Sequence, residues 1–163
     1  MLQARPGHAR ALLGLGQICC RQGRLDEAED AYRKALREAA GDAEPHIELG
    51  IVLARRGRHD EAAACYREAL RLKPDHPDAY NNLGNALRNT GKPDDAAACF
   101  RRALELRPDY PEAHNNLGIA LRSSGKHDEA VACYQKALGL RPGYPEAHNN
   151  LGNALSGMNR LAG

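Results

Sequence analysis

Pro111–Tyr144 reads PEAHNNLGIALRSSGKHDEAVACYQKALGLRPGY, and this stretch decides the fold. PDAYNNLGNALRNTGKPDDAAACFRRALELRPDY (Pro77–Tyr110) precedes it without insertion or deletion, and AEPHIELGIVLARRGRHDEAAACYREALRLKPDH (Ala43–His76) comes before that. A more divergent copy fills 9–42, and PEAHNNLGNAL restarts at Pro145. The period is 34 residues, and periods of about 20–50 mark proteins built by stacking. Each unit then packs only on its neighbours, so the chain forms a row rather than one globule. The expected organisation is a tail of a preceding unit at 1–8, full units at 9–42, 43–76, 77–110 and 111–144, and the first helix of a truncated fifth unit at 145–163. Met1–Pro6 aligns with Ala103–Pro108, and Pro145–Gly163 stops after one helix. Both ends therefore read as unfinished, as in a segment of a longer array.

Spacing places two helices in each unit. In Pro111–Ser123, Ala113, Leu117, Ala120 and Leu121 recur at i, i+4, i+7 and i+8, an amphipathic helix. Pro111 suits the first helical position, where its missing N–H costs nothing. Gly125, like Gly23, Gly57 and Gly91, is expected to end that helix in a left-handed conformation. Asp128, matching Asp26, Asp60 and Asp94, is expected to cap the second helix. That helix should bury Ala130, Tyr134, Ala137 and Leu138 and stop before Pro142. Gly16, Gly50, Gly84, Gly118 and Gly152 sit mid-helix, where Gly costs about 1 kcal/mol relative to Ala. Recurrence at one phase predicts a close approach of the second helix, through Ala28, Ala62, Ala96 and Ala130. On that packing a methyl at Gly84 or Gly118 is tolerated and a leucine is not.

Composition narrows the function classes. Of 163 residues, 42% are apolar and only 4% aromatic, so Leu, Ala, Ile and Tyr must build the core. The 23 basic and 21 acidic residues nearly cancel to +2, which argues against a nucleic-acid partner. No apolar run approaches the roughly 20 residues of a membrane span. Ala11–Cys20 after Arg5 and Arg10 faintly resembles a secretion signal, but Gln17 interrupts it and Leu12, Leu15 and Gly16 keep the repeat phase. Cys65, Cys99 and Cys133 lie one period apart, too far for a disulfide that needs Cα atoms within about 7 Å. With Cys19 and Cys20 they read as small packing residues in a reducing compartment, and the expected location is cytoplasmic.

The register Leu83-Gly84, Leu117-Gly118, Ala96, Ala130, Phe100, Tyr134, Pro108 and Pro142 resembles the tetratricopeptide repeat (TPR) over nearly the whole chain. The resemblance implies an all-α fold, a right-handed superhelical solenoid of antiparallel helical hairpins. His46, Tyr80, His114 and His148 stand where the family carries an aromatic at position 4, and the histidines are expected to pack in its place. More narrowly, the NNLGNAL segments look like the repeats of the O-linked N-acetylglucosamine transferases and their bacterial relatives. In that family an Asn at position 6 grips extended polypeptide, a role that would fall on Asn82, Asn116 and Asn150. Gly14 and Glu48 interrupt the row in the earlier copies, which confines it to the C-terminal half.

At 100° per residue, positions 2, 5, 6, 9, 12 and 13 of the first helix share the face opposite the packed one. In the family this face lines the concave groove. It carries Asn81, Asn115 and Asn149, then Asn82, Asn116 and Asn150, then Asn85 and Asn153, with Arg88 and Arg122 near the helix ends. Asp78, Glu112 and Glu146 lie near the helix starts. An amide offers both a donor and an acceptor, so a row of them can pair with an extended backbone without reading its sequence. The asparagines therefore read as a peptide-binding set. The acids and arginines are also explained by the helix macrodipole alone, and that reading weighs more for them.

A chaperone-tail carboxylate clamp would need Lys at position 5 and Lys or Arg at 2 and 6, where this chain has Asn and acids. His46, His114, His148, His59 and His127 form no i, i+4 pair for a metal. There is no phosphate loop, nucleophile elbow or convergent acid pair, so no catalytic residue, metal or cofactor is expected. The expected function is a protein–protein interaction scaffold whose groove binds an extended peptide or partner protein. The alternative is the substrate-recognition arm of a larger glycosyltransferase. Self-association through the unfinished ends is a further expectation.

Overall fold

The computed structural model describes the backbone of residues 6–161 and the side chains of 7–157. Among these residues it contains nine helices and no strand: α1 (Pro6–Arg21), α2 (Leu25–Glu38), α3 (Ala43–Arg55), α4 (His59–Leu72), α5 (Pro77–Asn89), α6 (Pro93–Leu106), α7 (Pro111–Ser123), α8 (His127–Leu140) and α9 (Pro145–Leu161). Met1–Arg5, expected to end a preceding unit, lie outside the described residues, while Pro6–His8 form the first turn of α1.

Each hairpin turns on one glycine. Gly23, Gly57, Gly91 and Gly125 have φ of 74–76°, and among the described residues no non-glycine takes a positive φ. The turn is short because the next helix starts almost at once. That start differs from the sequence expectation. Arg24, Arg58, Lys92 and Lys126 occupy the N-cap positions and make no side-chain cap bond. The second helices begin one residue earlier than Asp26, Asp60, Asp94 and Asp128, whose backbones are already helical. Their carboxylates lie in the first turn, where they act on the helix dipole rather than as caps. At the other end, α4, α6 and α8 stop at Leu72, Leu106 and Leu140, two residues before a proline.

The packing explains the mid-helix glycines, again by a route the sequence reading did not anticipate. A Cβ built on Gly50, Gly84 or Gly118 would lie 2.6 Å from Cε1 of Tyr66, Phe100 or Tyr134, and Gly16 meets the ring of Tyr32 in the same way. The aromatic side chain of the second helix, not the alanine four residues before it, occupies the space the glycine leaves. These rings are 0–2% exposed, so they have nowhere to retreat. A methyl is therefore not tolerated freely: an alanine must push a buried ring aside. Ala28, Ala62, Ala96 and Ala130 are fully buried as well, and fill the rest of the hairpin interface.

Hairpins stack through both helices, but not equally. Each second helix packs on the first helix of the next unit, and first helices touch one another (α1 with α3, α3 with α5, α5 with α7, α7 with α9). The backbones of neighbouring second helices stay apart, and only long side chains bridge them, as Arg101 of α6 reaches Glu129 of α8 at 3.5 Å. A row whose first helices are close and whose second helices splay apart must curve, with the first helices on the inner side. The result is an all-α solenoid with a concave surface made by α1, α3, α5, α7 and α9.

Candidate functional site: the concave face

The inner helices bring the asparagines of successive units together. Asn116 Nδ2 donates to Asn81 Oδ1 at 3.0 Å, and Asn150 Nδ2 donates to Asn115 Oδ1 at 3.0 Å. Position 6 of one unit is thus tied to position 5 of the unit before. Asn81 and Asn115 are 6% and 4% exposed, so position 5 is a buried amide whose oxygen is already in use. Asn82, Asn85, Asn116 and Asn150 are half-buried along the groove, and Asn149 and Asn153 are exposed. The two rows expected to be equivalent therefore differ: one is structural support between units, the other fronts the groove. Asn82 has no such partner, because Ile47 stands at position 5 of the preceding unit.

Toward the N-terminus the same face is built differently. Glu48 replaces asparagine at position 6, and it accepts from Tyr32 Oη at 3.2 Å and from Gln17 Nε2 at 3.4 Å. Burial and the Glu48 carboxylate push the Tyr32 phenol far above its ordinary value, so its hydroxyl stays a donor.

Two of the acids at the helix starts, Asp78 and Glu112, are held by arginines. Arg107 grips Asp78 through two bonds of 2.9 and 2.8 Å, and Tyr110 Oη adds a third at 2.9 Å. The Arg107 guanidinium also stacks on the Tyr110 ring, 4.7 Å from its centre. The next unit repeats the arrangement with Arg141 and Glu112 at 2.6 Å and Arg141 over Tyr144. The Arg107 hydrogen bond, more than any other contact, holds the Asp78 carboxyl below its usual range. Sequence reading missed this latch. Its signal was the joint appearance of Arg at position 31 and Tyr at position 34 in the two units where both occur.

Of the histidines of position 4, His46 and His114 are half-buried, as expected of packing groups, whereas His148 is exposed on the last helix. His114 Nε2 lies 3.0 Å from the Pro108 carbonyl, and His148 Nε2 lies 2.8 Å from the Pro142 carbonyl. Each ring N–H donates to a proline carbonyl of the loop between units, just beyond the helix end, and so ties that loop to the next inner helix. The described residues contain no cluster of three His, Cys, Asp or Glu able to hold a metal ion. All five cysteines are free. Burial pushes the Cys99 thiol up to about 11 and raises those of Cys65 and Cys133, so they are protonated packing groups at neutral pH.

Comparison with known proteins agrees with this architecture. The tetratricopeptide repeat profile matches residues 2–43, 47–111, 82–145 and 116–156. The chain belongs to the tetratricopeptide repeat family. Its solved neighbours include MamA of Desulfovibrio magneticus RS-1, at 25% identity and a TM-score of 0.88, covering 93% of this chain and 86% of that one. YrrB, described as a TPR protein with an unusual peptide-binding site, is 25% identical with a TM-score of 0.78 over 91% of this chain and 76% of that one. The first TPR of Spaghetti (RPAP3), solved bound to an HSP90 peptide, is 27% identical with a TM-score of 0.71 over 72% of this chain and 94% of that one. The comparison with curated proteins found no match. The likeness is to the repeat family as a whole and does not single out the O-linked N-acetylglucosamine transferases. No described helix is long and apolar enough to cross a membrane.

Proposed function

We propose that this TPR array is a protein-interaction scaffold that holds an extended polypeptide along its concave face. Asn82, Asn116 and Asn150 are its principal contacts, with Asn85, Asn149 and Asn153 beside them and Asn81 and Asn115 fixing the file from below. The observation that carries this reading is the pair of amide bonds between consecutive units. A primary amide that donates one N–H retains a second N–H and its oxygen. Asn116 and Asn150 are therefore pinned in orientation, one unit apart, with donor and acceptor to spare. Peptide binding by the TPR neighbours YrrB and Spaghetti supports the choice of ligand class.

The test replaces Asn82, Asn116 and Asn150 together with alanine. Capture of end-blocked, unstructured peptides, read by fluorescence anisotropy, should weaken by about tenfold or more, as expected for loss of several hydrogen bonds of about 1 kcal/mol each. The circular dichroism spectrum should not change. Unaltered capture by a folded variant would remove the asparagines from the site.

A second reading rests on a separate observation. Leu15 and Ile18 on α1 are 49% and 45% exposed, and Leu155 on α9 is 45% exposed. These are the large apolar side chains left open at the two ends of the row, and we infer that they mediate self-association. Size-exclusion chromatography over a dilution series checks this, with a concentration-independent monomer as the result against it.

A further inference from the structure

Arg88 and Arg122 differ from every other arginine of the described chain. Both are half-buried, both occupy position 12 of an inner helix, one on α5 and one on α7, and neither pairs with an acid. The remaining arginines are either exposed to water, as Arg21, Arg37 and Arg67 are, or bonded to a carboxylate, as Arg58 and Arg107 are. Burial pushes the Arg88 guanidinium down from its ordinary value, and no acid is near enough to offset it. A partly desolvated cation without a counter-charge is costly to keep, and two of them recur one unit apart along the groove.

A third group lies beside them. Tyr134, on α8, is fully buried, and its hydroxyl has no hydrogen-bond partner. It is close enough to Arg122 and Arg88 to feel both charges. Leaving a buried hydroxyl unsatisfied is costly, and the alternative without that cost is already present in the chain, since Phe100 holds the same position one unit earlier. The chain also shows what such a hydroxyl takes. In the first unit Tyr32 Oη donates to the carboxylate of Glu48, which projects from position 6 of the next inner helix. For Tyr134 the equivalent position is Asn150, which brings no carboxylate.

We propose that the groove between α5 and α9 receives the carboxylates of an acidic stretch of extended polypeptide, held by Arg88, Arg122 and the Tyr134 hydroxyl. The bound acid takes the place at Tyr134 that Glu48 takes at Tyr32. Asp78 and Glu112, at the opposite ends of α5 and α7 from Arg88 and Arg122, do not compete for them and are held by Arg107 and Arg141. These positions are not those of the carboxylate-binding tail clamp, whose lysines this chain lacks. The inference rests on the groove reading above and adds the chemistry of the ligand: the amides grip backbone, and the arginines select acidic side chains.

The test uses two synthetic end-blocked extended peptides that differ only in carrying three central glutamates or three central glutamines. The whole chain should bind the glutamate peptide about tenfold or more tightly, as expected when charge-assisted bonds replace neutral ones. The difference should shrink as salt is raised. In Arg88→Gln/Arg122→Gln the glutamate peptide should fall to the level of the glutamine peptide, which should bind as before. Arg101→Gln, on an outer helix, should change neither. Tyr134→Phe should lower the glutamate preference while leaving thermal stability equal or higher, a pattern that loss of a structural hydroxyl cannot give. Equal binding of both peptides by the native chain would overturn the acidic preference and leave the groove reading standing. Binding of neither peptide would overturn both. A preference that survives in the double arginine variant would place the acid elsewhere and overturn this assignment.

Discussion

The junction between the first two units and the junction between the third and fourth join the same helices with different chemistry. In the first, position 5 is apolar (Leu13, Ile47), and Glu48 links to Tyr32 and Gln17. On its outer side Glu29, only 9% exposed, stands where later units carry Ala63, Ala97 or Val131. It accepts from Arg33, Arg56 and Arg58 at 2.8–3.0 Å. The later junction has no such ionic knot. It is closed by the Asn116–Asn81 amide bond and by the exposed pairs Arg101–Glu129 at 3.5 Å and Lys126–Asp94 at 3.9 Å, while the Asp78–Arg107–Tyr110 latch ties the third unit to itself. The hairpins on both sides of each junction share one frame, the glycine–aromatic contact and the buried alanines. The polar groups are free to vary around that frame, and they decide what the inner face offers a ligand.

The shared frame is where substitution should cost most. Gly84→Leu must displace the buried Phe100 ring, and overpacking of this kind costs about 1–3 kcal/mol or more. Gly84→Ala should also destabilise, because strain against the ring outweighs the helix-propensity gain of about 1 kcal/mol. Gly152, at the same repeat position on α9, has nothing within 4 Å of a built Cβ. There the same change should stabilise by up to about 1 kcal/mol. Urea unfolding of the pair checks the sign difference. Equal effects at both glycines would mean that the ring contact does not govern them.

The ionic knot of the first junction comes next. Glu29→Ala leaves three arginines that are 32–47% exposed at the side chain and can turn to water. The loss should therefore be about 1–2 kcal/mol, nearer the value of charged hydrogen bonds than of an orphaned buried charge. Burial by itself raises the Glu29 carboxyl, but the bonds from Arg33 and Arg58 outweigh it and hold it below the ordinary 4.5. A depressed carboxylate contributes stability above its unfolded value and loses it as pH falls through the folded one. Acid titration of the native chain should show this loss below about pH 4.5, and Glu29→Ala should lack that component.

Much of this frame was legible in the sequence. The exact period of Leu117, Gly118 and Ala130 fixed the hairpins, and Gly125 marked the turn. The contact of Gly118 with Tyr134 was not legible, because periodicity says which residues share a face and not which of two buried side chains reaches across. The same limit affected the site. Asn115 and Asn116 are adjacent in sequence and both lie on the inner half of α7, yet one is buried against the next unit and the other faces the groove. Distinguishing them requires the offset between neighbouring inner helices, a property of stacking that a single unit does not encode. Arg107 and Tyr110 were hidden for the same reason: their partner Asp78 lies at the opposite end of the unit, brought close only when the hairpin closes.

The amide bond of the later junction should be worth less than the ionic knot. Asn81→Ile installs the residue of the earlier junction and frees Asn116 to turn toward water. A double-mutant cycle on Asn81 and Asn116 should give a coupling of about 0.5–1.5 kcal/mol. A cycle on Ile47 and Asn82, which make no such bond, should give about zero. Coupling at both pairs would indicate a general effect of stacking rather than the amide bond.

The smallest effect concerns His114, a position the first junction also fills with histidine (His46) and the junction between the second and third units fills with Tyr80. Burial lowers the His114 imidazole below the ordinary 6.5, against an opposing pull from its bond to the Pro108 carbonyl. The neutral ring donates that bond without help from a charge. Because the folded form resists protonation, the unfolded chain binds the extra proton first. Stability should then be fully present above the unfolded value of about 6.5 and decline as pH falls below it, until the folded ring itself titrates. His114→Tyr, which copies Tyr80, removes the titrating group and should flatten that part of the pH profile while leaving stability at pH 8 nearly unchanged. A slope of opposite sign, with stability rising on acidification, would mean that the protonated ring is the one that bonds the carbonyl.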